Sequence, residues 1–204
     1  MKKKEIIIGV TGSVAAYKAC DIIGKLRRLG CNTTVVITKE AKEFITPLLL
    51  QHISANKVYS DMFEMPDFYQ PGHVSLAKKA EIVLIAPATA NIIAKIANGI
   101  CDDLLTCVVM STAAPVLMAP AMNCNMWSNK ATQENIKRLK SFGYKIIGPV
   151  KGRLSCGITG IGHIADTDYI VKEVELSLRG GAKRRSNLPK SGEIASPRLR
   201  LGSQ

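Results

Sequence analysis

Three groups of residues in this chain are of types that could do chemistry together. The first is the run Ala119-Pro120-Ala121-Met122-Asn123-Cys124-Asn125-Met126-Trp127, rich in side-chain amides and sulfur and closed by the only Trp of the chain. A purely structural connection at this place would more often be short and Gly/Asp-rich, so the run is a candidate ligand-binding loop. The alternative is a buried turn with Trp127 as a packing anchor. The second is His73, just after Pro71-Gly72, where the pattern starts a helix. The positive end of a helix disfavours a charged imidazolium and so favours the base-competent form; a surface or capping His is the plainer reading. The third is Lys151 to Asp166, where Cys156 lies among Gly152, Gly157, Gly160 and Gly162. That composition predicts a flexible flap able to close over a ligand and exclude water, or an ordinary Gly-rich loop.

These groups need a frame, and strand and helix signals alternate along the chain. Residues 5–10, 33–38, 81–86, 116–119 and 144–147 read as five buried parallel strands. Residues 16–29, 92–98, 102–112 (capped by Asp102), 129–140 and 168–179 read as helices, with a short helix starting at 41 and another from His73 to Ala80. Thr46-Pro47 marks a break, and residues 51–72 read as an irregular excursion carrying Met62, Phe63, Met65, Phe68 and Tyr69. The expected fold is a single α/β domain, Rossmann-like and flavodoxin-like, with a doubly wound parallel sheet. In such sheets ligands bind outside the carboxyl ends of the strands, where Pro120 to Trp127 is expected as a loop.

Two strand–turn–helix passages sharpen this. Strand 5–10 leads into Thr11-Gly12-Ser13-Val14, where free N–H groups and a helix N-terminus can meet an anion. Gly9-x-x-Gly12 lacks the third glycine of a dinucleotide fingerprint, and Thr38 and Lys39, not an acid, follow the second strand. A mononucleotide such as FMN therefore fits better than NAD. Strand 81–86 leads into Pro87-Ala88-Thr89-Ala90-Asn91, and two such turns at one sheet edge can clasp one ligand.

The chain has 204 residues and a formal net charge of +12. Residues 179–204 carry seven Lys/Arg and one acid, so +6 of that charge lies in a Gly/Pro/Ser-rich stretch expected to be a disordered tail. A nucleic-acid partner is accordingly not expected. No apolar run reaches the roughly 18 residues of a membrane span, and the N-terminus lacks the pattern of a signal peptide. The six cysteines form no Cys-x-x-Cys pair and no zinc-type cluster, so no metal and no disulfide is expected, and a reducing cytoplasm is the expected compartment.

Five of these stretches together resemble one family, the homo-oligomeric flavin-containing cysteine decarboxylases, over about residues 5–178. They are Gly12 to Lys18, His73-Val74-Ser75-Leu76, Pro87 to Asn91, the run Pro120-Ala121-Met122-Asn123-x-x-Met126-Trp127, and Gly152 to Gly162. Ile92, Ile158 and His163 depart from the family's usual Thr, Asp and Arg, which bears on the polar contacts of those positions. The resemblance implies bound FMN, contacted by Gly12, Ser13, Val14, Thr38, Thr89, Ala90, Asn91, Ser111, Ala121 and Met122. It implies a catalytic base at His73, a carboxylate contact at Asn123, and a clamp of Leu154, Ser155 and Cys156 in which Cys156 gives the last proton. The implied reaction has the flavin oxidise a cysteine CH2–S group to a thioaldehyde, so that the carboxylate lies β to C=S and leaves as CO2. The presence of Cys156 favours 4′-phospho-N-pantothenoylcysteine as substrate, in coenzyme A biosynthesis, over a peptidyl C-terminal cysteine. The resemblance further implies a trimer or dodecamer with sites between subunits. A non-catalytic regulatory flavoprotein is the competing reading, disfavoured by the presence of both His73 and Cys156.

Overall fold

The computed structural model describes residues 3–63, 72–153 and 157–185. Strands β1 (Glu5–Val10), β2 (Asn32–Ile37), β3 (Val58–Tyr59), β4 (Ile82–Ala88), β5 (Val116–Pro120) and β6 (Lys145–Ile146) form one parallel sheet ordered β3-β2-β1-β4-β5-β6. That is the Rossmann-type doubly wound order. Without the two-residue β3, the remaining five run 2-1-3-4-5 in chain order, the flavodoxin-like arrangement. The direction of winding reverses between β1 and β4.

The central strands β1, β4 and β5 are apolar on both sides because helices cover both faces. From β1, Ile6, Ile8 and Val10 enter one core with α1 (Lys18–Arg28), α2 (Pro47–Ser54) and α8 (Thr167–Arg185). Ile7 enters the other, with α3 (Gly72–Lys79), α4 (Ala90–Ala97), α5 (Leu104–Ser111) and α7 (Lys130–Ser141). Each fully buried Ile contributes about 1.5–3 kcal/mol relative to exposure. Gly9 lets Leu105 of α5 press onto the sheet, since a Cβ there would lie 2.6 Å from Leu105 Cδ1.

Several expected boundaries change, each for a local reason. A single 3-10 turn, Val14–Tyr17, capped by Ser13, precedes α1, and Gly30 closes α1 with φ +80°. Pro47 does not merely break the chain. It sits in the first turn of α2, with the Thr46 hydroxyl accepting the Leu49 N–H. The excursion expected over 51–72 therefore begins with helix and a short strand; its residues 64–71 lie outside those described. The cap of α5 is Asp103 rather than Asp102, because Asp103 and Thr106 form a reciprocal capping box. The loop expected over Pro120–Trp127 contains a helical turn, α6 (Cys124–Ser128), capped by Asn123. The arms of the expected Gly-rich flap are paired antiparallel strands, β7 (Val150–Arg153) and β8 (Thr159–His163).

Helix α8 continues to Arg185, past the expected end at 179, through two glycines. Ala182, Lys183, Arg184 and Arg185 are good helix formers, which explains the extension. Residues 186–204 of the expected tail lie outside those described. Among the described residues no helix is long and apolar enough to cross a membrane, and no cluster of three or more His, Cys, Asp or Glu could hold a metal. Five of the cysteines are described and all five are free.

Inside the core, Thr33 of β2 is 0% exposed and its hydroxyl has no hydrogen-bond partner among the described residues. A buried unpaired hydroxyl costs about 1–3 kcal/mol. Thr33→Val is near-isosteric and should raise the unfolding free energy by about 1 kcal/mol. In urea titrations the midpoint should rise with an unchanged slope; a lower midpoint would show that the hydroxyl is satisfied.

Candidate active site

At the reversal between β1 and β4 the chain turns away to opposite faces of the sheet, and a cavity of about 280 Å3 opens there. Four strand ends build it. After β1 come Thr11, Gly12 and Ser13. After β2 come Thr38 and Glu40. After β4 come Thr89, Ala90, Asn91 and Ile92, and after β5 come Ala121, Met122 and Met126. Asp103, the cap of α5, completes the wall.

The polar groups of this cavity are fixed by their local structure. Thr11 Oγ1 donates to Pro87 O (2.7 Å) and accepts from Thr89 N–H (3.1 Å). Thr89 in turn caps α4, accepting the Ile92 N–H at 3.3 Å. The Thr38 N–H donates to Val10 O at 3.0 Å, and the Ala121 N–H to Ala88 O at 3.0 Å. Gly12 is required by close approach, since a Cβ would lie 2.6 Å from Glu40 Cβ and 3.1 Å from its backbone carbon. Lys95 of α4 holds the start of α5 through Asp102 (2.8 Å) and Asp103 (3.2 Å). Its hydrogen bond to Asp102 is the main cause that raises the Lys95 pKa and lowers that of Asp102, against desolvation.

A second cavity, of about 330 Å3, adjoins the first and shares Ser13, Ala121 and Met122 with it. Val14, Ala15, Tyr17 and Lys18 form one side, Asn123 another, and Arg153, Gly162, His163 and Ile164 of the β7–β8 hairpin a third. Asn123 Oδ1 accepts the Asn125 N–H at 2.8 Å, so the amide's donor end is the one suited to a carboxylate. Lys18 and Arg153 make this cavity cationic, and neither forms an ion pair among the described residues. The His163 ring rests against Gly152, and its Nδ1 lies 2.7 Å from Ile164 O.

Of the expected cofactor residues, Gly12, Ser13, Thr38, Thr89, Ala90, Asn91, Ala121 and Met122 converge on the first cavity, and Val14 lines the second beside Asn123. Ser111, in the last turn of α5, lines neither. His73 is on the first turn of α3, as expected, and lines neither cavity. Leu154, Ser155 and Cys156 lie outside the described residues. Trp127 lines neither cavity; it packs against the second core, and its carbonyl accepts from Gln133 Nε2 at 2.6 Å. Trp127 thus packs as an anchor, but the turn that carries it is not buried, and its Met122, Asn123 and Met126 line the cavities.

Sequence reasoning missed Glu40 and Asp103 in the first cavity, and it gave no site role to Thr11 there or to Lys18, Arg153 and His163 in the second, although these four lie within stretches it singled out. Glu40 stands two residues past the end expected for β2 and was legible as an acid near that end. Arg153 and His163 reach the site only because the hairpin docks on the loop after β5.

The sheet order and the cavity at its reversal define a doubly wound α/β protein with a crevice where such sheets bind their ligands. A sequence profile described as Flavoprotein matches residues 1–179. The chain therefore belongs to the flavoprotein family. It is 44% identical over 177 residues to a probable phosphopantothenoylcysteine decarboxylase of Streptococcus mutans, covering 86% of this chain and 99% of that one. It is 39% identical over 175 residues to the coenzyme A biosynthesis bifunctional protein CoaBC of Bacillus subtilis, covering 86% of this chain but 43% of that protein. The chain thus spans less than half the length of that bifunctional relative. Among solved structures, a PPC decarboxylase Cys-to-Ser mutant complexed with pantothenoylaminoethenethiol superposes with a TM-score of 0.78 at 32% identity, over 86% of this chain and 98% of that one. The FMN-dependent cysteine decarboxylase SpaF superposes with a TM-score of 0.77 at 29% identity, over 88% and 97%.

The hairpin's seat offers a direct test. The Met122 N–H donates to Gly162 O at 3.0 Å, and a Cβ on Gly162 would lie 2.2 Å from Met122 O. Gly162→Ala should destabilise by about 1–3 kcal/mol and lift the hairpin off the loop. Limited proteolysis should then cut within 150–163 faster than in the wild type. An unchanged melting temperature and cleavage rate would mean that the hairpin is not seated there.

Proposed function

We propose that the chain is an FMN-dependent decarboxylase acting on 4′-phospho-N-pantothenoylcysteine, yielding 4′-phosphopantetheine in coenzyme A biosynthesis. The observation that carries this reading is the pair of adjoining cavities with a common wall, Ser13, Ala121 and Met122, one suited to a cofactor and one to a substrate. The first fits FMN by its chemistry. Gly12 leaves backbone room, Ser13, Thr38 and Thr89 offer hydroxyls to a phosphate, and Glu40 and Asn91 can accept from ribityl hydroxyls. When bound, the flavin supplies a two-electron acceptor for the substrate's CH2–S group, which puts the carboxylate β to a C=S bond so that CO2 can leave.

The chain's own residues do the rest. Gly12, Ser13, Thr38, Thr89, Ala90, Asn91, Ala121 and Met122 would hold the cofactor in the first cavity, with Val14 reaching it from the second; Ser111, which lines neither cavity of its own chain, is included on the resemblance alone. Asn123 holds the substrate carboxylate through its amide, a neutral contact that does not over-stabilise the ground state. Lys18 and Arg153 give the second cavity the charge an anionic substrate needs. His73 takes the first proton, and Leu154, Ser155 and Cys156 form the clamp from which Cys156 returns the last one.

This reading includes a homo-oligomer, a trimer or dodecamer. In support, His73 lies outside the cavities of its own chain, on a helix whose N-terminus faces the same sheet edge. Each cavity alone is near the lower end of the roughly 300–1,000 Å3 usual for ligand pockets. Large apolar side chains also stay exposed at Phe44, Leu48 (63%) and Leu49.

The test begins with the purified protein, which should carry or take up FMN absorbing near 450 nm, as oxidised flavins do, and should release CO2 from the proposed substrate. His73→Gln and Asn123→Ala should abolish CO2 release while FMN stays bound. Cys156→Ser should still release CO2 but yield a product two hydrogens short of the thiol, read by mass. Fully reduced product at the wild-type rate from Cys156→Ser would remove the proton-donor role, and no CO2 from the wild type would remove the proposed reaction.

A further inference from the structure

We propose that Thr11 is the positioning residue of the cofactor cavity, its hydroxyl setting the spacing between the turn after β1 and the turn after β4. The proposal rests on the cofactor reading above and goes beyond it by assigning the spacing to one side chain. Nothing in the Gly12–Lys18 resemblance includes this residue.

The ladder explains why a side chain is needed. Strands β1 and β4 pair in register from Ile6↔Ile82 to Gly9↔Ile85, and the pairing stops there. Two residues on, Pro87 has no N–H to give, and β4 shifts register against β5 between Ile85 and Ala88. On its other side β1 stays tied to the end, through Thr38 N–H to Val10 O. The two turns that face each other across the cavity therefore lose their main-chain connection at the place where the ligand must fit. Thr11 restores it. Its hydroxyl is 2% exposed with the residue, donates to Pro87 O at 2.7 Å and accepts the Thr89 N–H at 3.1 Å. Among the described residues no other hydrogen bond joins residues 11–13 to residues 87–91.

The consequences run into both turns. Thr89 is the cap of α4, so its own N–H has no partner within that helix, and Thr11 is what satisfies it. Holding that N–H aims the Thr89 hydroxyl and the following Ala90 and Asn91 into the cavity. On the near side, the Ser13 N–H donates to Thr11 O at 2.8 Å, so the same residue also sets the start of the Gly12–Ser13 turn. A Val at position 11 keeps the shape and removes both bonds. It leaves a carbonyl and an N–H unpaired in the cavity wall, and the two turns are free to separate.

The experiment compares Thr11→Val and Thr11→Ser with the wild type by fluorescence titration of FMN into protein stripped of it, with melting temperature measured on the same samples. Thr11→Val should weaken FMN binding by about 5- to 150-fold, the loss expected for buried groups left unpaired. Thr11→Ser, which keeps the hydroxyl, should restore near-wild-type binding. A merely structural Thr11 would lower the melting temperature in Thr11→Val and leave FMN affinity per folded chain unchanged; that result, or a Ser variant as weak as Val, overturns the proposal. Wild-type protein that binds no FMN overturns the cofactor reading and this proposal with it, whereas wild-type and Val proteins binding alike overturn this proposal alone. A Thr11→Val chain that fails to fold passes the decision to hydrogen exchange in the wild-type holoprotein. There the Thr89 amide, at a helix cap, should be protected; exchange as fast as an open amide would overturn the assignment.

Discussion

The structure depends on the reversal of winding between β1 and β4. A parallel sheet must be covered on both faces, so the connections on either side of some strand pair leave in opposite directions. Here β1 sends its chain to the face of α1 and α8, and β4 to the face of α4, α5 and α7. The parting backbones cannot fill the space between them. What remains is a crevice bordered by main-chain N–H groups and by residues small enough to let the backbone come close. The same divergence that completes the two cores therefore creates the site. Four strand ends and the cap of α5 present most of its polar groups: hydroxyls at Thr11, Ser13, Thr38 and Thr89, amides at Asn91 and Asn123, and acids at Glu40 and Asp103.

How legible this was depends on the range of the interactions that decide each part. The long strands were readable because burial on both faces leaves continuous runs such as Ile6-Ile7-Ile8 and Ile82-Val83-Leu84-Ile85, all 0% exposed. Turn residues after β1, β4 and β5 were readable because a sheet edge brings successive strand ends together whatever the packing details. Helix α2 was obscured because Leu48 and Leu49 are exposed, so its apolar residues do not mark an inner face, although Thr46-Pro47 is a proper cap and first-turn pair. The hairpin β7–β8 was obscured for a different reason. Its strands carry Gly152, Gly160 and Gly162 and little buried surface, and its place is decided by Gly162 against Met122, a contact far apart in sequence. Arg153 and His163 became site residues only through that contact.

The same distinction applies within the site. The first cavity is built almost wholly from strand ends of one sheet, and its wall is rigid where hydroxyls and caps are satisfied locally. The second has one wall from the sheet, one from the turn before α1, and one from the hairpin, so it is shaped by how the hairpin rests on Met122 and Asn123. A redox group must keep one fixed relation to the bond it oxidises, whereas a substrate must enter and its product leave. With the proposed cofactor against the sheet and the proposed substrate under the hairpin, those demands would fall on different walls, one made of strand ends tied to one another and one seated through Gly162 and Met122. The shared wall of Ser13, Ala121 and Met122 is where the two must meet, and Met122 is also the residue on which the hairpin is seated. Any movement of the hairpin is thereby felt first at the boundary between cofactor and substrate.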